Sequence, residues 1–204
     1  MITIVDYGLG NIRAFLNVFR RLNIEARTAG TAEALEGATK VILPGVGHFD
    51  HAMERLEASG MRAPLDDLVL QRGVPVLGVC VGMQILGGSS DEGSRPGLGW
   101  VEGTVRSFRE WEPTRALPMP HMGWNDVRPT SPGGLFARLE DESRFYFLHS
   151  FFFECARPAD ALAVANYGAE FACAVRRDNI FGVQFHPEKS HQFGTRLLQN
   201  FAEL

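Results

Sequence analysis

Val76-Leu77-Gly78-Val79-Cys80-Val81-Gly82-Met83-Gln84 is the stretch on which the reading of the fold turns. An apolar run leads into Gly-x-Cys-x-Gly and on into an apolar helix start, the pattern of a buried strand that turns sharply into a helix. A residue at such an elbow is exposed in a strained position, and glycines two residues to either side remove side chains that would clash. The helix beyond it aims partial positive charge at Cys80 and favours thiolate over thiol. An isolated cysteine is more often a small buried apolar residue. The two glycines reverse that reading and make Cys80 a candidate nucleophile.

Upstream, short apolar runs alternate with amphipathic stretches, as in a parallel sheet crossed over by helices. Thr3-Val5, Val41-Leu43 and Val74-Val79 read as buried strands, and Ile12, Phe15, Leu16, Phe19 and Leu22 as the apolar stripe of a helix. Between the first strand and this helix lies Asp6-Tyr7-Gly8-Leu9-Gly10-Asn11. The third glycine of a dinucleotide-binding loop is missing, because Arg13 stands in its place, so the segment is read as a tight turn. Downstream, Arg144-His149, Leu162-Asn166 and Phe181-Gln184 are extended runs broken by Pro and Gly, which predicts a mixed or antiparallel section. Ser190 is placed to cap a last helix carrying Phe193, Leu197, Leu198 and Phe201.

A nucleophilic thiol needs a base and an oxyanion site. In Phe185-His186-Pro187-Glu188, residues two apart on an extended segment project to one side, so His186 can take the thiol proton while Glu188 orients the imidazole. The amide of Val81 supplies one oxyanion donor. The second is expected from Val46 in the turn Pro44-Gly45-Val46-Gly47, whose glycines let an amide swing into the site or out of it. Gln84 lies one helical turn beyond Cys80 on the same face.

Bulk properties narrow the field. The 204 residues are 45% apolar and 22% charged, which suits one domain over 1–204. A net charge of −4 with both signs interspersed argues against nucleic acid as a partner. The N-terminus lacks a basic leader and no apolar run is long enough to span a bilayer, so a cytoplasmic protein without a membrane partner is expected. Cys80, Cys155 and Cys173 are odd in number and widely spaced, which points to free thiols with no metal site. No cofactor is expected.

Taken together, these segments resemble the class I (triad) glutamine amidotransferases, and within them the glutaminase subunits of imidazole glycerol phosphate synthase. Val5 through Asn11, Leu43 through Phe49, Gly78 through Gln84, Pro120-His121-Met122-Gly123-Trp124-Asn125 and Gly182 through Ser190 carry the likeness. The resemblance implies an α/β, flavodoxin-like fold with a mainly parallel central sheet flanked by helices. It implies that L-glutamine is hydrolysed through a glutamyl thioester on Cys80, with substrate contacts at Gly47, Gln84, Glu92, Ser150 and Phe151. It further implies a heterodimer with a TIM-barrel cyclase subunit, which turns the ammonia into imidazole glycerol phosphate and an aminoimidazole carboxamide ribotide. Asn11, His121, Met122, Trp124 and Asn125 would then meet the partner.

Two departures stand out. The family commonly has His-Ser-Tyr-Tyr where this chain has His149-Ser150-Phe151-Phe152, which removes a side-chain hydroxyl at Phe151. Lys189 through Gly194 resembles paralogues that serve surface-sugar pathways, an alternative destination for the ammonia. A non-catalytic scaffold and a redox-sensing elbow-cysteine protein are the alternatives of another class.

Overall fold

The computed structural model describes residues 1–139 and 143–204. In the first half, β1 (Ile2–Val5), β2 (Ala26–Ala29), β3 (Val41–Gly45) and β4 (Val76–Cys80) are linked by α1 (Ile12–Arg21), α2 (Phe49–Ala58) and α3 (Arg62–Asp66). There follow α4 (Val81–Gln84), β5 (Ser89–Ser90), β6 (Gly103–Ser107), β7 (His121–Asp126), β8 (Arg128–Pro129) and β9 (Arg144–His149). The chain closes with β10 (Phe151–Cys155), β11 (Ala161–Tyr167), β12 (Ala169–Arg177), β13 (Ile180–Val183) and α5 (His191–Glu203).

The main sheet runs β2-β1-β3-β4-β13-β12-β10-β6-β5, with β11 paired to β12 and β8 to β11. From β2 through β13 every pairing is parallel, and β12 and β10 continue it antiparallel. The expected mixture of a parallel half and an antiparallel half is therefore present in one continuous sheet. Every residue of β1, β3, β4 and β13 is buried. That explains why these strands read as unbroken apolar runs and not as alternating ones.

Four details differ from the sequence reading. β4 starts at Val76 because Pro75 has no N–H for the ladder, and the Val74 amide bonds Leu68 instead. β2 gave little signal because it is an edge strand with only Ala29 fully buried. The helix after the elbow is a single turn, so little macrodipole accumulates behind Cys80 and its free backbone amides matter more. Ser190 precedes α5 without a side-chain cap. Its hydroxyl donates to the His186 carbonyl at 2.6 Å and accepts from the Tyr146 amide at 3.0 Å, which ties the end of β13 to β9.

β7 and β9 form a separate antiparallel pair in which His121 faces His149, Met122 faces Leu148 and Trp124 faces Tyr146. Alternation along these strands sends Phe145, Phe147, His149 and His121 into the core, and leaves Met122, Trp124 and Leu148 exposed.

Candidate active site

The register of three neighbouring parallel strands assembles the site. Gly45 at the end of β3 stands opposite Cys80 at the end of β4, and Val183 at the end of β13 stands opposite Val79. The carboxyl edge of the sheet thus delivers the Pro44–Gly47 turn, the nucleophile and the His186 segment to one place. Ligand sites of open α/β sheets lie at that edge.

Cys80 has φ 56° and ψ −115°, a strained geometry for a residue with a side chain. Such a conformation costs about 1–3 kcal/mol and survives only where its surroundings enforce it. They do so here by close packing. A Cβ on Gly78 would lie 2.5 Å from the Gly82 carbonyl oxygen, and one on Gly82 would collide with the Leu43 carbonyl. The elbow residue is not exposed as its motif suggests: Cys80 is buried, with 5% of its surface exposed, and lines a cavity of about 290 Å³.

Val46, Gly47, Val81, Gln84, Glu92, Ser150 and His186 line the same cavity. Glu188 lies behind His186, with His186 Nδ1 and Glu188 Oε1 2.9 Å apart. The contact matches the expectation, although the backbone from Pro187 to Lys189 is a 3₁₀ turn and not an extended continuation. The His186 amide donates to the Tyr146 carbonyl at 2.9 Å, which, with the Ser190 bond, fixes the imidazole's backbone from both sides. Burial pulls the His186 pKa down, but hydrogen bonds with Cys80 and Glu188 and the charge on each outweigh it and push the value up to about 9. Glu188 Oε2 is buried without a hydrogen-bond partner among the described residues. Losing the imidazolium would leave that buried carboxylate uncompensated, at a cost of about 3–5 kcal/mol.

The sign of the pH effect follows. The folded-state value lies above the ordinary 6.5, so the ion pair's contribution to stability is complete below pH 6.5 and is lost as pH rises through about 9. A protonated His186 can also serve as proton donor to a leaving group. A pH profile of turnover at this site is therefore expected to fall on its alkaline side near pH 9, and Glu188→Gln should move that limb to lower pH. An unmoved limb in the variant would remove Glu188 from the pair.

The turn carrying Val46 is held at one end and free at the other. Tyr7, which is buried, donates its phenol O–H to the Pro44 carbonyl at 2.7 Å, and Gly10 packs against the Pro44 ring. Val46, by contrast, is 40% exposed, and Gly47 has φ 90° with open space around it. The Asp6–Asn11 segment, read as a tight turn, is that, with Gly8 and Gly10 both at positive φ.

Other predicted residues are partly committed elsewhere. Glu92 Oε2 accepts the Phe49 amide at 2.8 Å, at the start of α2. The Phe151 carbonyl receives His149 Nδ1 at 2.7 Å and Gln84 Nε2 at 3.4 Å, so it is already engaged within the protein. Phe152 packs on Phe108 and Trp111 with ring centroids 4.8 Å away. The interface candidates divide in the same manner. Met122 and Trp124 are exposed, and Asn11 is exposed while capping α1 through the Ala14 amide. His121 is buried, and Asn125 turns inward to bond it at 3.2 Å.

Sequence reasoning missed Leu148, His149 and Lys189, which also line the cavity. Period-two alternation across Arg144–His149 was the available signal for the first two. Lys189 Nζ sits over the Tyr146 ring and His191 stacks on Trp124, so the stretch that resembles the surface-sugar paralogues supports the outer face of β7 and β9. No group of three His, Cys, Asp or Glu among the described residues is arranged to hold a metal. No helix among them is long and apolar enough to cross a membrane.

Comparison with known proteins adds the following. The sequence model of the family "Glutamine amidotransferase class-I" matches residues 3–204. The imidazole glycerol phosphate synthase subunit HisH of Bdellovibrio bacteriovorus is 63% identical over 204 residues, covering all of both chains. The protein of the same name from Leptospira interrogans is 52% identical, again over the whole of both chains. A solved structure described as a glutamine amidotransferase superposes with a TM-score of 0.77 at 20% identity, covering 99% of this chain and 97% of that one.

Proposed function

Since the chain belongs to the class-I glutamine amidotransferases, we propose that residues 1–204 act as one amidotransferase unit in which Cys80, His186 and Glu188 carry the chemistry. Its function is that of the glutaminase subunit of imidazole glycerol phosphate synthase, in histidine biosynthesis. The observation that carries the assignment of residues is the 2.9 Å contact between His186 and Glu188 beside a strained Cys80, in a cavity edged by Val46 and Val81.

The arrangement supports the following course. Cys80 Sγ, its proton held by His186 as the imidazolium, attacks the side-chain amide carbon of glutamine, and the carbonyl electrons move onto oxygen, whose charge is stabilised by hydrogen bonds donated by the amides of Val46 and Val81. The intermediate collapses, the C–N bond breaks, and ammonia leaves with the proton of the His186 imidazolium. The now neutral His186 takes a proton from water, whose oxygen attacks the thioester and releases glutamate from Sγ. Gly47, Gln84, Glu92 and Ser150 shape the pocket for glutamine.

The protein works as a subunit of a complex, and we take the partner to be a TIM-barrel cyclase, paired with it as a heterodimer in the cytoplasm. Leu148 and Val46 are exposed apolar residues on the rim of the Cys80 cavity, and Leu148 pairs with Met122 on the strand that carries Trp124. A partner seated on this face covers the cavity mouth and reaches the free end of the Val46 turn. Adding the cyclase with its ligand is therefore expected to raise glutamine turnover by about 10²–10³-fold, the effect of completing one oxyanion donor. Full turnover by the isolated chain would overturn the idea that the partner sets this turn.

A further inference from the structure

Behind the cavity wall, three polar contacts line up from the outer strand to the substrate pocket. Asn125 Nδ2 is 3.2 Å from His121 Nε2, His121 Nδ1 is 2.9 Å from His149 Nε2, and His149 Nδ1 is 2.7 Å from the Phe151 carbonyl oxygen. A carbonyl can only accept, so His149 Nδ1 carries the proton. A neutral His149 must then accept at Nε2, which makes His121 Nδ1 a donor and His121 Nε2 an acceptor for the Asn125 amide. The other N–H of that amide goes to the Asn166 carbonyl at 2.8 Å, and the Asn125 oxygen accepts the Asp126 amide at 2.8 Å. All three Asn125 contacts agree on one orientation, so the chain has a single direction.

Its surroundings keep it uncharged. His121 stacks between Phe147 and Tyr167, with centroids 4.9 and 4.2 Å away, and His149 lies against Phe108 and Phe171. Burial among these rings pushes His149 down to about 3 and His121 to about 4, so both are neutral at ordinary pH. Neither imidazole has a place in the hydrolysis itself. At the far end the Phe151 carbonyl also receives Gln84 Nε2, which bonds Gln184 Oε1 at 3.0 Å, and Gln184 Nε2 lies 3.9 Å from Cys80 Sγ.

We propose that His121 and His149 are positioning residues, a one-way hydrogen-bond strut that runs from Asn125 to the Phe151 carbonyl and so fixes the backbone beside Ser150, which lines the glutamine pocket. The inference rests on the glutaminase reading of Cys80 and deepens it, because the strut sets where glutamine sits and not how its amide is cleaved.

The test uses the complete complex with saturating partner. Nitrogen-15 spectra of the wild type should show His121 and His149 each protonated at Nδ1 only, unchanged from pH about 5 to 8, across the range where free histidine titrates. Asn125→Asp cannot donate to His121 Nε2, and His121→Gln breaks the next link. Each should raise KM for glutamine about ten-fold, the worth of one buried hydrogen bond, with a much smaller change in kcat. The double variant should be little worse than either alone, since all of them interrupt one chain. Protonation at Nε2 or ordinary titration in the wild type would overturn the proposal, as would variants with unchanged KM or a double variant whose effects simply add. A wild-type complex that releases no ammonia would instead overturn the glutaminase reading, and the strut's role with it.

Discussion

Cys80→Ala is expected to lower glutamine-dependent synthesis by the complex by at least about four orders of magnitude, while synthesis from added ammonia continues. The first half follows from removing the sulfur on which the proposed thioester forms, and losses of this size are usual when a covalent nucleophile is deleted. The second follows from packing. Alanine keeps the Cβ of the elbow, the neighbouring backbone contacts of Gly78 and Gly82 stay as they are, and the exposed residues Met122, Trp124 and Leu148 of the proposed interface lie on other strands. The measurement is product formation with glutamine and with an ammonium salt, side by side. Loss of both would show that the sulfur is needed for assembly, and retention of both would favour a scaffold.

Gly82→Ala is expected to cost about 3 kcal/mol or more of stability, because backbone atoms must move to admit the methyl. A methyl at this position meets the Leu43 carbonyl, which belongs to β3, and β3 is held on both sides by β1 and β4. Relief therefore requires shifting the buried α4 turn away from β3. A methyl on Gly47 meets nothing within contact distance and pays only for its positive φ, about 1 kcal/mol. Denaturant unfolding of the two variants checks the order. A Gly82 variant as stable as the Gly47 variant would mean that the strand-to-helix turn yields easily, contrary to the strain seen at Cys80.

How much of this was legible in the sequence depended on where the signal was local. Strand β4 and its elbow were readable because both are specified within nine residues. The pairing of His186 with Glu188 was predicted for a reason that held only in part: proximity two residues apart is real, but Pro187 starts a 3₁₀ turn. Interface candidates 121–125 were taken as one contiguous patch, although period-two alternation already divides them between solvent and core. Alternation along Arg144–His149 divides Leu148 from His149 between solvent and core, but nothing local says that either, or the exposed Lys189, lies at the Cys80 cavity; only the tertiary fold brings them there. The roles of Glu92 and the Phe151 carbonyl depended on partners 43 and 67 positions away in sequence, which no window could reveal.

The Tyr7 phenol on the Pro44 carbonyl carries a consequence of a thermodynamic kind. With Pro44 pinned and Gly47 unconstrained, the difference between a turn that offers its amide and one that withholds it is confined to the peptide planes next to Val46. An equilibrium of that size is biased by anything that prefers one setting, and the bias runs both ways. If the proposed partner favours the inward amide by some factor, a tetrahedral adduct on Cys80 returns that factor to the partner as tighter association. Commitment of substrate at Cys80 and cohesion with the partner would then be a single free energy, stored in the rotation of one peptide group.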